Sequence, residues 1–527
     1  MTVSRATYLN MKGAAMMTDI IDTANISAEK APDPKPKESY TAAESIFALI
    51  FSFSGYFFIK TFFEGGLGLG SALFMLGFGA AAMAMFKICG AVQSRKGIAF
   101  FIAALVFSAN LAITSNGLIM FLDFVYAVVM YGLWAFSVND TDFDGADDYL
   151  IYTISNAVFG QSFGNMGKCP SAVFSLTKKS KCGKNIRNIL IGLIIALPVT
   201  LIVTTLLSSA DNTFKMYING FFNGITENCV SGVLKYIFGL PLSFLMFGVV
   251  IGAVRNKKQG RLDREHCGRV TNSFKIAPQA VVCSSVVPLC IVYLVFFFTQ
   301  LRYFLSAFGN ILPEEYSAAE YARKGFFELC TVAVINLSVI AAINLFCRYN
   351  DDEKDGKKRP VILKVLTIVL SVFTLILIAT AMSKMFMYIS RFGLTAKRVY
   401  TTWFMLVLTV LFLLIIIRQF RCFNMARLGG IIFTVMLAAL SFCQMDSLIV
   451  SYNVDAYEKG RLEEFDNTAF YDLSADAVYA IKPLLESDDG SLKSAAELFI
   501  GTKQYDHNEP LEYTLSSYIC RNTEISE

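Results

Sequence analysis

The chain has 527 residues, of which 55% are hydrophobic and only 17% charged, with a net charge of +4. Soluble domains run about 25% charged, so this composition cannot cover a water-facing surface of such a size. The small net charge gives no basis for a nucleic-acid partner. The apolar residues gather in blocks of about 20, and at 1.5 Å per residue each block crosses a hydrocarbon core of roughly 30 Å.

Residues 1–42 are polar, carry Pro32, Pro34 and Pro36 in a Lys-containing stretch, and read as a cytoplasmic tail without the apolar block of a signal peptide. Eleven spans are then predicted: Ser45–Phe63, Leu67–Cys89, Gly97–Thr114, Gly117–Phe136, Ile189–Ser209, Val233–Val254, Ala280–Leu301, Phe326–Cys347, Val361–Met382, Tyr400–Ile417 and Leu428–Met445. The expected organisation is spans 1–4 over 43–137, an acidic-then-basic cytoplasmic link over 138–187, spans 5–11 over 188–447, and an extracytoplasmic tail over 448–527. The fold class is thus all-α: a polytopic transmembrane bundle of about eleven helices with a small helical outer tail.

Orientation follows from Lys and Arg. Every even-numbered span ends on a basic link, carrying Arg95 and Lys96, then Lys178–Arg187, Arg255–Arg269, Arg348–Arg359, and Arg418, Arg421 and Arg427. That alternation predicts a bacterial cytoplasmic-membrane protein with its N-terminus inside and its C-terminus outside. One link dissents, because Lys384, Arg391, Lys397 and Arg398 fall outside. The aromatic stretch Asp211–Gly232 suits a helix in the membrane interface. In the tail, Ser474 and Ser494 are expected helix N-caps, the latter with Glu497 in a capping box.

Few residues promise chemistry. The two His, His266 and His507, are far apart, and the twelve Cys form no C-x-x-C pair. Cys229 and Cys520 are the pair expected on the oxidising side, where a disulfide between them is open. Asp140, Asp142, Asp144 and Gly145 spell the opening of a calcium loop, but Ile151 stands where its bidentate Glu belongs. A solvated acidic link is the plainer reading. Gly167-Lys168 lacks the glycines of a phosphate-binding loop. No cofactor is expected.

Within the spans, the small residues from Gly66 to Ala82 suit close helix packing. Asp123 lies roughly 9 Å inside its span and wants a partner, a proton or water. It reads either as a structural acid or as part of an ion or proton path. Asn110, Asn336 and Asn344 are expected to join helices. The richest polar cluster is predicted outside, where Arg302, Glu320, Arg323 and Glu328 flank spans 7 and 8 and Arg391 and Arg398 precede span 10. These cations form either ion pairs or a clamp for an anionic lipid or envelope molecule, since the guanidinium fork grips carboxylate and phosphate alike.

The same segments resemble a family. Gln300 and Tyr303, the run Glu320–Leu329, and Asn336 are similar to the bacterial membrane-protein family called domain of unknown function 4173. So are Met387-Tyr388, then Phe392-Gly393-Leu394-Thr395 with Arg398 and Tyr400, a motif shared with the sister family 4153. Leu473–Val478, following Asn453–Tyr457, completes the set, with departures at Phe392 and Tyr479. The resemblance implies a polytopic membrane protein with a family-like core over about 280–447 and supplies no reaction. Three function classes remain: a transporter or flippase-like protein of the bacterial envelope, which is favoured, then a sensor or assembly partner that uses the outer tail, and an enzyme on lipid-linked substrates. The first should bring water to Asp123. The last is disfavoured by a first outer loop that is barely Glu64–Gly66 and by spans without His or paired acids.

Overall fold

The computed structural model describes residues 39–139, 150–176, parts of 192–216, 227–255, 272–308, 326–348, 360–461, 468–504 and 511–524. Apart from 39–42, these belong to one compact unit, Ala43–Glu527. The helices in chain order are α1 (Ala42–Glu64), α2 (Leu69–Ile88), α3 (Arg95–Asn110), α4 (Gly117–Phe136), α5 (Glu227–Arg255), α6 (Gln279–Phe308) and α7 (Phe326–Phe346). They continue with α8 (Val361–Phe392), α9 (Ala396–Phe420), α10 (Met425–Phe442), α11 (Met445–Glu458), α12 (Gly490–Lys503) and α13 (Leu515–Arg521). Among the described residues, nine of these, α1, α2 and α4 to α10, are long and apolar enough to cross a membrane. The fold is an all-α polytopic bundle.

Two of the eleven predicted spans are not among the nine. The third is α3, whose 16 residues reach about 24 Å, short of the hydrocarbon core. It ends at Asn110 because the chain turns back there to pair α3 with α4. The fifth, Ile189–Ser209, lies largely outside the described residues, as do Asp140, Asp142, Asp144 and Cys182. Within the stretch expected as a link, Leu150–Leu176 is helical and buries Ala157, Cys169 and Ala172 completely. Of Asp211–Gly232, the residues from Glu227 onward open α5.

Helix breaks are repaired from neighbouring helices, as lipid requires. α1 is interrupted at Phe53, and the Ser243 hydroxyl of α5 donates to Ser52 O (2.9 Å) and accepts from Gly55 N (2.8 Å). That bridge needs the two backbones nearly touching: a Cβ on Gly55 would lie 1.8 Å from Gly239 O. At the same end as the α1 N-terminus, Arg255 grips the buried Glu44 through Nε (2.8 Å) and Nη2 (2.7 Å).

Amide side chains join helices as expected at two positions and not at a third. Asn336 accepts from Tyr293 of α6 (2.6 Å) and donates to Thr374 of α8 (2.9 Å), so one residue ties three helices. Asn110 joins α3 to α4 and α10. Asn344 instead bonds back to Ile340 O of its own helix (2.8 Å).

The dissenting cations also find their place. α8 has 32 residues, about 48 Å, so it outruns a bilayer core and carries Lys384 and Arg391 on its last turns. Nothing stops it until Gly393, whose φ of +71° suits glycine alone without strain. Arg398, one turn into α9, folds back to donate to the carbonyls of Phe392 (2.9 Å) and Gly393 and stacks over Tyr388 at 4.1 Å. Arg398 thus caps the C-terminus of α8.

The tail is a folded body with its own core. Ile449, Val450, Phe470, Leu473, Val478, Ile481, Leu492, Phe499 and Cys520 are buried together, with Leu394, Ala396 and Val399 of the α8–α9 corner packed against them. Ser474 caps the short 3-10 turn Ala475–Ala477 as expected. Ser494 does not cap: α12 begins four residues earlier, where Asp489 accepts from Ser491 N (2.8 Å) and Leu492 N (3.4 Å).

Candidate functional site at the junction of bundle and tail

The α3–α4 turn, Leu111–Asn116, is where the bundle holds the tail. Its carbonyls serve as a docking edge: Leu515 N donates to Ala112 O (2.8 Å) and the Ser516 hydroxyl to Ile113 O (3.0 Å). Beside it, Leu69 N and Gly70 N of the first turn of α2 donate to Tyr513 O (3.0 Å) and Leu511 O (2.9 Å). These N–H groups have no partner within a helix N-terminus, so the tail satisfies donors that lipid could not.

Two acids of the tail meet the same turn. Asp476 accepts from the Thr114 hydroxyl through one oxygen, and from Ser115 N (2.8 Å) and the Ser115 hydroxyl (3.0 Å) through the other. Asp446, in the first turn of α11, accepts through Oδ2 from Asn116 Nδ2 (3.0 Å), Ser474 N (3.0 Å) and the Ser474 hydroxyl (2.5 Å). Asn116 Nδ2 also donates to the Tyr400 hydroxyl of α9 (2.5 Å). The Ser447 hydroxyl closes the ring on Asp476 O (2.6 Å). Asp446 Oδ1 has no hydrogen-bond partner, although the residue is only 1% exposed. Burial pushes its carboxyl above the ordinary range against the bonds from Ser474 and Asn116, and nearby Asp476 adds to the rise.

A second clamp lies alongside. The Asn453 side chain accepts from Leu394 N (2.7 Å) and donates to Leu394 O (2.9 Å), which pairs α11 with the α8–α9 corner as a strand would. Several of the residues that carried the family resemblance therefore converge here, namely Phe392–Leu394, Arg398, Tyr400, Asn453, Ser474 and Asp476, whereas Asn336 lies between α6, α7 and α8.

Of the residues singled out for binding, Arg398 caps α8 at the corner beside this junction, whereas Asp123 lies away from it. Asp123 is fully buried within the bundle, with Oδ2 accepting from Asn110 Nδ2 (2.7 Å) and Oδ1 from the Ser441 hydroxyl (2.6 Å). Glu328 is exposed at the start of α7 and Arg391 is exposed at the end of α8. The side chain of Arg302 and all of Glu320 and Arg323 lie outside the described residues. Cys520 is buried in the tail core, and the side chain of Cys229 is outside the described residues. Among the described residues no group of three or more His, Cys, Asp or Glu could hold a metal ion. Asn116 and Asp446 were not anticipated. The signal for Asn116 was its place just before the apolar run of α4, as an N-cap, and for Asp446 the acid standing just past the last predicted span.

No curated protein and no solved structure matches the chain. A family model does, that of domain of unknown function (DUF4153), over residues 101–484. The segments that resembled family 4173 thus fall within the match to its sister. The matched region opens in α3 and closes within the tail, so it contains both sides of the junction from Thr114 to Asp476. Matched over well over half its length, this multi-pass chain belongs to the family of domain of unknown function DUF4153.

Proposed function

We propose that this protein is a sensor or assembly partner of the bacterial cytoplasmic membrane, with its docked tail domain as the working surface outside the cell and its N-terminus inside. The observation that carries the reading is the junction itself. A folded tail with its own core is fastened to three separate turns of the bundle by buried polar bonds, an arrangement suited to passing a change in the tail into the helices. The alternation of basic links supports the orientation.

Transport or lipid flipping is the second reading, favoured by the number of spans, by the interruption of α1 at Phe53 and by the π-helical segments Ile59–Glu64 and Asn156–Gly160. The setting of Asp123 weighs against it, since an acid with both oxygens bonded and no exposed surface is a structural tie rather than a station on a water path. A clamp for an anionic lipid or envelope molecule at Arg302, Glu320, Arg323, Glu328, Arg391 and Arg398 remains compatible with either reading, although Arg398 already caps α8.

The test is complementation. In cells deleted for this protein, a chain ending at Gly460 should still insert and resist extraction from the membrane, yet fail to restore the envelope phenotype that the full chain restores. Full restoration by the truncated chain contradicts the proposal.

A further inference from the structure

Asp446 is the most unusual polar group of the junction. Its Oδ2 takes three donors while its Oδ1, equally buried, takes none. An ionised carboxylate so placed loses its hydration without full replacement. The elements packed on α11 are α9, the turn Ala475–Ala477 and the helical turn Val478–Ile481. Their ionisable groups are Lys397, Arg398 and Tyr400 at the near end of α9 and Arg418 at its far end, then Asp476, then Tyr479. Asp446 makes no ion pair with Lys397 or Arg398, and Arg398 is turned to the Phe392 and Gly393 carbonyls. Asp476 acts on it as a like charge, and Asp446 in turn acts on Tyr400.

We propose that Asp446 is a proton-operated latch that fastens the tail domain to the bundle. Protonated, it is an uncharged acid that holds Asn116 and Ser474 in a dry junction. Ionised, it presents Oδ1 without a donor beside the like charge of Asp476, and the junction admits water and loosens. A carboxyl held above its ordinary value stabilises the docked state in its protonated form. Docking is therefore strongest below about pH 4, the ordinary Asp value, weakens as pH rises through the docked value, and is constant above it.

The latch rests on the tail being docked, which the proposed function also assumes. The experiment follows amide exchange in the full chain in lipid nanodiscs, reading protection factors over 447–454 and 474–481 across a pH series. Wild-type protection should fall with rising pH, by up to about tenfold for each unit that separates the docked and ordinary values. Asp446→Asn should be protected and flat, while Asp476→Asn should be weaker and its fall should move to lower pH, because the like charge that helps to raise the Asp446 carboxyl is gone. Ser474→Ala removes one donor and should move the fall to higher pH, so the proposal is testable even if Asp446→Asn does not fold. Flat wild-type protection, or an unshifted fall in Ser474→Ala, overturns the latch and leaves the docked-tail reading intact. A tail open to exchange at every pH sinks both.

Discussion

Asp123 and Asp446 are both buried acids at helix contacts, but the protein treats them differently. Asp123 sits inside the bundle, where α3, α4 and α10 meet, and each oxygen has a donor from a different helix. Asp446 sits at the rim, where α11 meets the α3–α4 turn and the tail, and one of its oxygens is left without a donor. In hydrocarbon an unsatisfied group has no water to turn to, so the interior acid has to be sealed. At the rim, water is a short rearrangement away, and an incompletely satisfied acid can serve as a hinge for opening.

Substitutions should separate the two regions. The largest effect is expected for Asp476→Ala, which strips three donors of the α3–α4 turn of a charged acceptor. Docking of the tail should weaken by on the order of 3 kcal/mol, read as faster limited proteolysis within 468–504 while α4 stays protected. Asp123→Ala should do the reverse, lowering bundle stability by about 2 kcal/mol in thermal unfolding with little change in tail proteolysis. Equal loss in both regions from either variant would erase the distinction. Asn453→Ala removes the paired bonds to Leu394 and should cost about 1–2 kcal/mol of docking. Tyr400→Phe removes only a hydroxyl that accepts from Asn116, and a loss under about 1 kcal/mol is expected. A larger loss would mean that Tyr400 also donates to Asp446.

The bundle was legible because the membrane imposes one length on every crossing helix, so nine of the predicted spans correspond to helices of the described structure. Hydropathy fails where that length is not the rule. It stopped α8 at Met382, since a window sees the hydrocarbon core and not the turns beyond it, and the helix continues to the next breaker, Gly393. It also carried the third span to Thr114, four residues past the end of α3 at Asn110. The junction was legible only in pieces. Ser474, Asn453 and Tyr400 lay in motifs that resembled a family, but Thr114 and Asp476 are 362 residues apart, a pairing to which no local pattern points. The capping role of Arg398 was hidden for a related reason: it depends on the carbonyls left open by the end of α8, which lie five and six residues back along the chain.

Orientation underlies every statement about an outer tail, and two thiols report on it. Cys443, at the end of α10 beside the junction, and Cys422, at the far end of α9 among Arg418, Arg421 and Arg427, are both exposed. In a variant that keeps only these two cysteines, a membrane-impermeant maleimide applied to intact spheroplasts should modify Cys443 at once and Cys422 only after lysis. Modification of Cys422 first would place the tail domain inside the cell and contradict the account.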